Sequence, residues 1–168
     1  MLLISRIIRL LRSFGDPFKN YYKEDIYVGY RYFETFARDK VLYPFGYGLS
    51  YTDFVYGGLQ ISSETLPKNG ELTVSVTVTN KGNYDGYETV QLYLRDIYAE
   101  VARPMKELKG FERIFLKSGE SRDVKFVITK DDLKFYNSEL HYVYEPGEFD
   151  VMVGPNSRDV QTKSFQAE

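Results

Sequence analysis

The sequence predicts an all-β fold, an antiparallel β-sandwich preceded by an irregular aromatic N-terminal arm. Three observations predict it. From Phe54 onward, short stretches alternate apolar and polar residues at roughly ten-residue spacing. Turn-forming clusters separate them: Lys68-Asn69-Gly70, Asn80-Lys81-Gly82-Asn83, Lys117-Ser118-Gly119-Glu120 and Glu145-Pro146-Gly147. Before that point the chain is aromatic and charged, and neither a period of two nor of 3.6 fits it throughout.

The elements follow in order. Residues 1 to 14 place Leu3, Ile7, Leu10 and Leu11 at helical spacing, with Arg6, Arg9 and Arg12 on another face. This run is too short and too charged to span a bilayer. It lacks a small-residue cleavage site, so it does not read as a secretory signal. It predicts a short helix that packs on protein rather than on a membrane surface. Residues 18 to 42 carry Tyr21, Tyr22, Tyr27, Tyr30, Tyr32, Phe33 and Phe36. Ile26 to Phe33 is expected to be extended and Glu34 to Lys40 to make a helical turn. So much aromatic surface must lie on the downstream domain or on a partner. Residues 43 to 52, Tyr-Pro-Phe-Gly-Tyr-Gly-Leu-Ser-Tyr-Thr, read as a rigid linker with neighbours on both sides.

Strands are expected over Phe54–Ile61, weakened by Gly57-Gly58, then over Glu71–Thr79, Tyr87–Arg95, Glu107–Leu116 and Arg122–Thr129. A capped helical turn follows from Thr129 to Leu133. Further strands are expected over Leu140–Tyr144, Gly147–Val153 and Val160–Phe165. Val74, Val76 and Val78 share one face, as do Val90, Leu92 and Leu94, and as do Phe149, Val151 and Val153.

Composition narrows the functions open to the chain. Its 168 residues suffice for one domain and an arm, and 43% hydrophobic with 27% charged residues is a globular balance. A net charge of -2 offers nucleic acid no electrostatic footprint. Cysteine is absent, which excludes disulfides and thiolate metal sites and leaves the compartment open. The skew is towards Tyr (16) and Phe (12), with no Trp.

The search for chemistry returns little. There is no G-x-S-x-G elbow, no P-loop and no dinucleotide-binding glycine pattern. His141 is the only histidine, on an expected surface strand, so neither a serine triad nor a zinc site can be assembled from it with conviction. No cofactor is implied. Asp131 and Asp132 read as acids of a first helical turn, not as calcium ligands. Glu24, Asp25, Glu34 and Asp39 lie on the unsettled arm, and acids borne by strands alternate outward. Tyr142 and Tyr144 share one face of an expected strand, where they are candidates to stack on a sugar ring; ordinary packing accounts for them as well.

Several ungapped motifs resemble one family in its own order. The decapeptide at 43 to 52 is similar to the junction near the C-terminus of family 3 glycoside hydrolases, the β-glucosidase and β-xylosidase group. Asp25-Ile-Tyr-Val-Gly-Tyr-Arg-Tyr-Phe33 resembles the segment before it. Val78-Thr-Asn-Lys-Gly-Asn-Tyr-Asp-Gly86, Val90-Gln-Leu-Tyr93, Arg103-Pro-Met-Lys-Glu-Leu-Lys-Gly-Phe111 and Glu145-Pro-Gly-Glu-Phe149 with Val153-Gly154 resemble the family's fibronectin type III-like domain, an immunoglobulin-like sandwich. The resemblance implies a non-family segment over residues 1 to 19, a linker arm from the hydrolase α/β domain over 20 to 52, and the fibronectin type III-like domain over 53 to 168. It implies no catalytic residue here, because the family's nucleophile and acid/base lie on the barrel and α/β domains. Those domains are the implied partners, met through Tyr27, Tyr30, Tyr32, Tyr43, Phe45, Tyr47 and Tyr51. Residues 1 to 14 depart from the family, which implies a truncated or frame-shifted reading of a longer gene. Tyr142 stands where the family often carries Trp.

Two functions follow as expectations. The first is a non-catalytic accessory module of a β-glucosidase-like hydrolase, with no activity of its own. The alternative is a free-standing carbohydrate-binding sandwich that takes β-linked oligosaccharide on Tyr142 and Tyr144. A hydrolase subunit that completes its site from another chain is a third and weaker reading.

Overall fold

A computed structural model describes residues 18, 19 and 24–168; the helix expected over 1 to 14, and Tyr21 and Tyr22, lie outside the described residues. The arm does not form the expected extended run over Ile26–Phe33. Gly29 turns the chain at φ 60, and helix α1 occupies Tyr30–Phe36, followed by a 3-10 turn at Arg38–Lys40. A helix places Tyr30 and Glu34, four residues apart, on one face. That is the face the sandwich covers.

Two sheets make the sandwich. In the first, β1 (Phe54–Tyr56) and β2 (Gln60–Ile61) both pair antiparallel with one side of β4 (Leu72–Asn80). They are two halves of one edge, broken at Gly57-Gly58 where the sequence is weakest. β7 (Ser121–Ile128) flanks β4 on the other side, from Leu72 opposite Ile128 to Thr79 opposite Ser121. The second sheet runs β3 (Thr65–Leu66), β11 (Gln161–Ala167), β10 (Gly147–Gly154), β5 (Gly86–Asp96) and β6 (Glu107–Leu116), antiparallel except for β3 with β11. A bulge at Lys109 lets Tyr93 face Leu108 while Leu92 faces Gly110.

Alternation fills the space between the sheets. Val74, Val76 and Val78 meet Val90, Leu92 and Leu94, with Val124, Ile128, Val151 and Phe165 completing the core. Each such side chain is worth about 1.5–3 kcal/mol when withdrawn from water. The expected outward alternation of strand acids does not hold at Glu88. Glu88 continues the inward face of β5 and accepts a hydrogen bond from the Tyr56 hydroxyl at 2.7 Å. Burial raises its carboxyl above the ordinary range, against the lowering effect of that hydrogen bond.

After β7, helix α2 (Lys130–Leu133) starts as expected at Thr129, whose N–H donates to the Asp132 carboxylate at 2.8 Å. A small hairpin follows, β8 (Phe135–Tyr136) with β9 (Tyr142–Val143). The strand expected over Leu140–Tyr144 shrinks to these two residues. Leu140 belongs to the turn, at φ 62.

The β10–β11 turn is closely packed at its start. A Cβ on Gly154 would collide with the Asp159 carbonyl oxygen, a backbone atom that cannot swing aside. Gly154→Ala is expected to cost about 2 kcal/mol or more. A urea unfolding midpoint that stays at the parent value, with the slope unchanged, would show the turn to be more yielding than this.

Candidate functional site

The arm meets the sandwich on β5. Val90, Leu92 and Leu94 point into the core, so Gln91 and Tyr93 alternate onto the outer face. In a two-layer antiparallel sandwich that face meets water. Here Gln91 is 4% exposed and Tyr93 0% exposed. The arm covers them both.

Aromatic packing and hydrogen bonds lay the arm down. Tyr30 presents its ring edge-on to Tyr93 at 6.3 Å and stacks on Phe45 at 4.4 Å, while its hydroxyl accepts the Leu108 N–H at 2.8 Å. The Tyr93 hydroxyl donates to Gln91 Oε1 at 2.6 Å, and the Gln91 amide N–H groups reach the carbonyls of Pro155 (2.5 Å) and Gly46 (3.3 Å). Ser157 N–H donates to the Phe45 carbonyl at 2.8 Å. Gly46 sits at φ 81, and a Cβ there would run into the Gln91 amide. Both the dihedral and the space therefore call for glycine.

From Gly46 the junction runs along β5 towards Gly86 and ends at Thr52. The Thr52 hydroxyl donates to Asn80 Oδ1 at 2.6 Å. Asn80 is fully buried; its oxygen also accepts the Gly82 N–H, and its amide nitrogen donates to the Tyr84 and Leu116 carbonyls. One side chain thus satisfies itself completely while joining the junction, the β4–β5 turn and β6. A Cβ on Gly82 would strike the Thr52 hydroxyl and stand 2.7 Å from the Asp53 nitrogen.

Charge fixes the helix of the arm. The Glu34 side chain, 2% exposed, accepts the Ser157 hydroxyl at 2.8 Å. Arg38, Arg158 and Lys106 stand around it at 3.3, 3.8 and 4.0 Å. These cations come from the arm, the β10–β11 turn and the segment before β6. Burial pulls the Lys106 ammonium below the ordinary lysine range; Glu34 opposes this, and Arg38, Arg158 and Arg95 add to it. A second knot joins Glu107 to Arg103 (2.8 Å), to Arg31 of α1 (3.3 Å) and to Lys109 (3.5 Å). Burial alone would raise Glu107, but Lys109, Arg103 and Arg31 outweigh it and hold the carboxyl below its ordinary value.

The tyrosines named from the sequence fall into distinct places. Tyr30 and Phe45 are in the dock itself. Tyr27 lies edge-on to Phe36 at 4.8 Å, and Tyr32 packs against Phe33 and Phe36. Tyr43 and Tyr47 pair with each other at 4.9 Å, 65% and 45% exposed, and Tyr51 is 96% exposed. With Leu42 and Leu49 they form the outward side of the arm. Tyr142 stands exposed beside Tyr136, whereas Tyr144 packs against the core and donates its hydroxyl to the Glu168 carbonyl at 2.7 Å. His141 is exposed and lies 3.5 Å from Glu139. Among the described residues no three of His, Cys, Asp or Glu are grouped to hold a metal ion, and no helix is long and apolar enough to cross a membrane.

Such an arrangement holds a segment in place. Beside Tyr30 and Phe45, the holding is done by Glu34, named from the sequence only as one of four acids on the arm, and by Gln91, Tyr93, Lys106 and Ser157, which were given no role. One signal for them was present. Gln91, Tyr93, Lys106 and Glu107, with Asn80, Gly82 and Gly154, lie in the motifs quoted above, and those motifs converge in space around the arm.

Comparison with known proteins identifies the family of the fold. Residues 88–157 match the fibronectin type III-like domain. The chain is 46% identical over 136 residues to a periplasmic β-glucosidase of Salmonella typhimurium, covering 81% of this chain and 18% of that one. It is 47% identical over 132 residues to a β-xylosidase of Formosa agariphila, covering 77% of this chain and 18% of the relative. The crystal structure of a family 3 β-glucosidase from Bifidobacterium adolescentis superposes with a TM-score of 0.78 at 39% identity, over 87% of this chain and 21% of that one. The chain therefore spans about a fifth of the length of these relatives.

Proposed function

The chain is a homologue of the family 3 glycoside hydrolases, carrying their fibronectin type III-like domain and about a fifth of their length, and on that footing we propose that it is a non-catalytic accessory domain of a β-glucosidase-like enzyme. The observation that supports this best is the two-sided arm. Its inner side closes over Gln91 and Tyr93. Its outer side presents Leu42, Tyr43, Tyr47, Leu49 and Tyr51 to solvent. A row of large apolar side chains held outward by a fixed backbone is a surface prepared for another body.

The catalytic barrel and α/β domains of the parent hydrolase are the partners we assign to that surface. Residues 20 to 52 act as the linker and 53 to 168 as the domain. The contribution to catalysis is mechanical: a docked arm fixes how the catalytic domains approach each other.

The test pairs this chain with a family 3 β-glucosidase trimmed of its matching fifth. A one-to-one complex is expected on size-exclusion chromatography, with a raised thermal midpoint for the trimmed enzyme. Tyr43→Ser with Tyr51→Ser should weaken the complex without unfolding the chain. Alone, the chain is expected not to hydrolyse aryl β-glucosides. Turnover that persists through purification would assign it a catalytic role instead.

A further inference from the structure

The β8–β9 hairpin carries a feature that arm docking does not use. Tyr136 and Tyr142 are direct cross-strand partners, so their rings share one face. They lie 4.9 Å apart at 41° and remain 63% and 53% exposed. Lys134 Nζ stands 5.9 Å from the Tyr142 ring. The rings add nothing to the core; the hairpin is anchored by Phe135, buried beneath the Arg103 guanidinium at 4.7 Å.

The hairpin is held rigidly. Asn137 Oδ1 accepts the N–H groups of Glu139 (3.1 Å) and His141 (2.9 Å). The Asn137 backbone donates to the His141 carbonyl and accepts from Leu140, each at 3.0 Å. Ser138 donates to Glu100 at 3.1 Å, and Glu100 N–H donates to Glu145 at 3.2 Å, tying the tip to the neighbouring loop. Within this frame Leu140 takes a left-handed backbone and is 80% exposed. A bulky residue rarely accepts that conformation, and such outliers concentrate at functional sites.

We propose that the Tyr136–Tyr142 face is a contact site for a β-linked gluco- or xylo-oligosaccharide. A pyranose with equatorial hydroxyls turns an apolar C–H face towards an aromatic ring, and its hydroxyls bond around the rim. The rings supply the platform, and Lys134 supplies a donor beside the Tyr142 ring. Two rings match one or two sugar units and fall far short of the ~800 Å² per side of a stable protein partner. Because the hairpin is already rigid, binding orders little of the protein. The platform is Tyr136 with Tyr142, not Tyr142 with Tyr144, since Tyr144 is committed to the core. The ligand class rests on the hydrolase reading above; the platform rests on the hairpin.

Affinity electrophoresis and calorimetry with cellohexaose, laminarihexaose and xylohexaose test this, with maltohexaose as the α-linked control. Weak binding of at least one β-linked glycan is expected. It should fall about tenfold in Tyr142→Ala and in Tyr136→Ala, and stay unchanged in Tyr87→Ala, an exposed ring on another face. Circular dichroism should match across all four chains. Binding of none of the β-linked glycans, or binding that survives both hairpin substitutions, overturns the proposal. Binding of maltohexaose with equal strength overturns its linkage preference. The complex with the trimmed hydrolase is read separately, so a chain that still docks but ignores glycans refutes this site alone.

Discussion

Glu34→Gln is expected to loosen the arm and to lower the unfolding free energy by about 2–3 kcal/mol. Removing one member of a buried ion pair costs about 3–5 kcal/mol, because the charge left behind keeps its desolvation penalty without its partner. The figure is discounted here because Arg38 and Arg158 are 54% and 28% exposed and solvent screens them. Lys106 has no such relief: its side chain is 9% exposed and Glu34 is the anion that faces it. Glutamine keeps the shape and the bond from Ser157, so the loss reports charge. Chemical denaturation gives the magnitude, and trypsin cleavage after Arg38 or Lys40 reports whether the arm has lifted. Asp39→Asn, one residue from the 3-10 turn's start and 70% exposed, should cost less than ~0.5 kcal/mol. If the two variants behave alike, Glu34 is not the fastening point.

Tyr93→Ala should be costlier still, about 3–5 kcal/mol, the range for removing a fully buried aromatic ring. The size of the effect decides between two pictures of the sheet. On a plain two-layer sandwich Tyr93 is a surface residue, and its truncation stays within about 0.5 kcal/mol. Under the arm it has no exposure at all, and truncation opens a cavity bounded by Tyr30, Gln91 and Lys106. Tyr93→Phe separates ring from hydroxyl. It keeps the packing and deprives Gln91 Oε1 of its donor, for about 1–1.5 kcal/mol. Urea titrations at constant slope measure both. A small effect for Tyr93→Ala would mean that the arm does not stay seated in solution.

The sandwich was legible because its strands alternate and its turns announce themselves. Val74, Val76 and Val78 could face only one way, and Asn80 to Asn83 could only turn. The arm was legible as aromatic and in need of a partner, and a helical turn was expected from Glu34 to Lys40, but not the helix from Tyr30: Gly29 and the pairing of Tyr30 with Glu34 on one face matter only once a sheet is beside them. Glu34 read as one acid among several because a glutamate is a surface residue by default. The three cations that bury it come from distant parts of the chain. Gln91 and Tyr93 were masked by the very alternation that located β5, although a tyrosine between Leu92 and Leu94 already hinted at a strand covered on both faces. Tyr142 and Tyr144 were paired by a period of two that lapses where β9 ends at Val143.

The seating of the arm along β5 also gives the chain a mechanical order. Its fastenings occur in sequence along the backbone: Tyr30 on Tyr93 and Leu108, Arg31 on Glu107, the Glu34 cage, the Gly46–Gln91 contact and the Thr52–Asn80 bond. A tension arriving from the upstream side therefore does not load them together. It reaches Tyr30 and Arg31 first, the Glu34 cage and the glycine contact next, and the buried asparagine last, where the sandwich itself begins to bear the load. The Glu34 cage is open to solvent at its rim, where Arg38 and Arg158 lie; Asn80 is fully buried. Such a series arrangement loads the arm stepwise, ahead of the sheets.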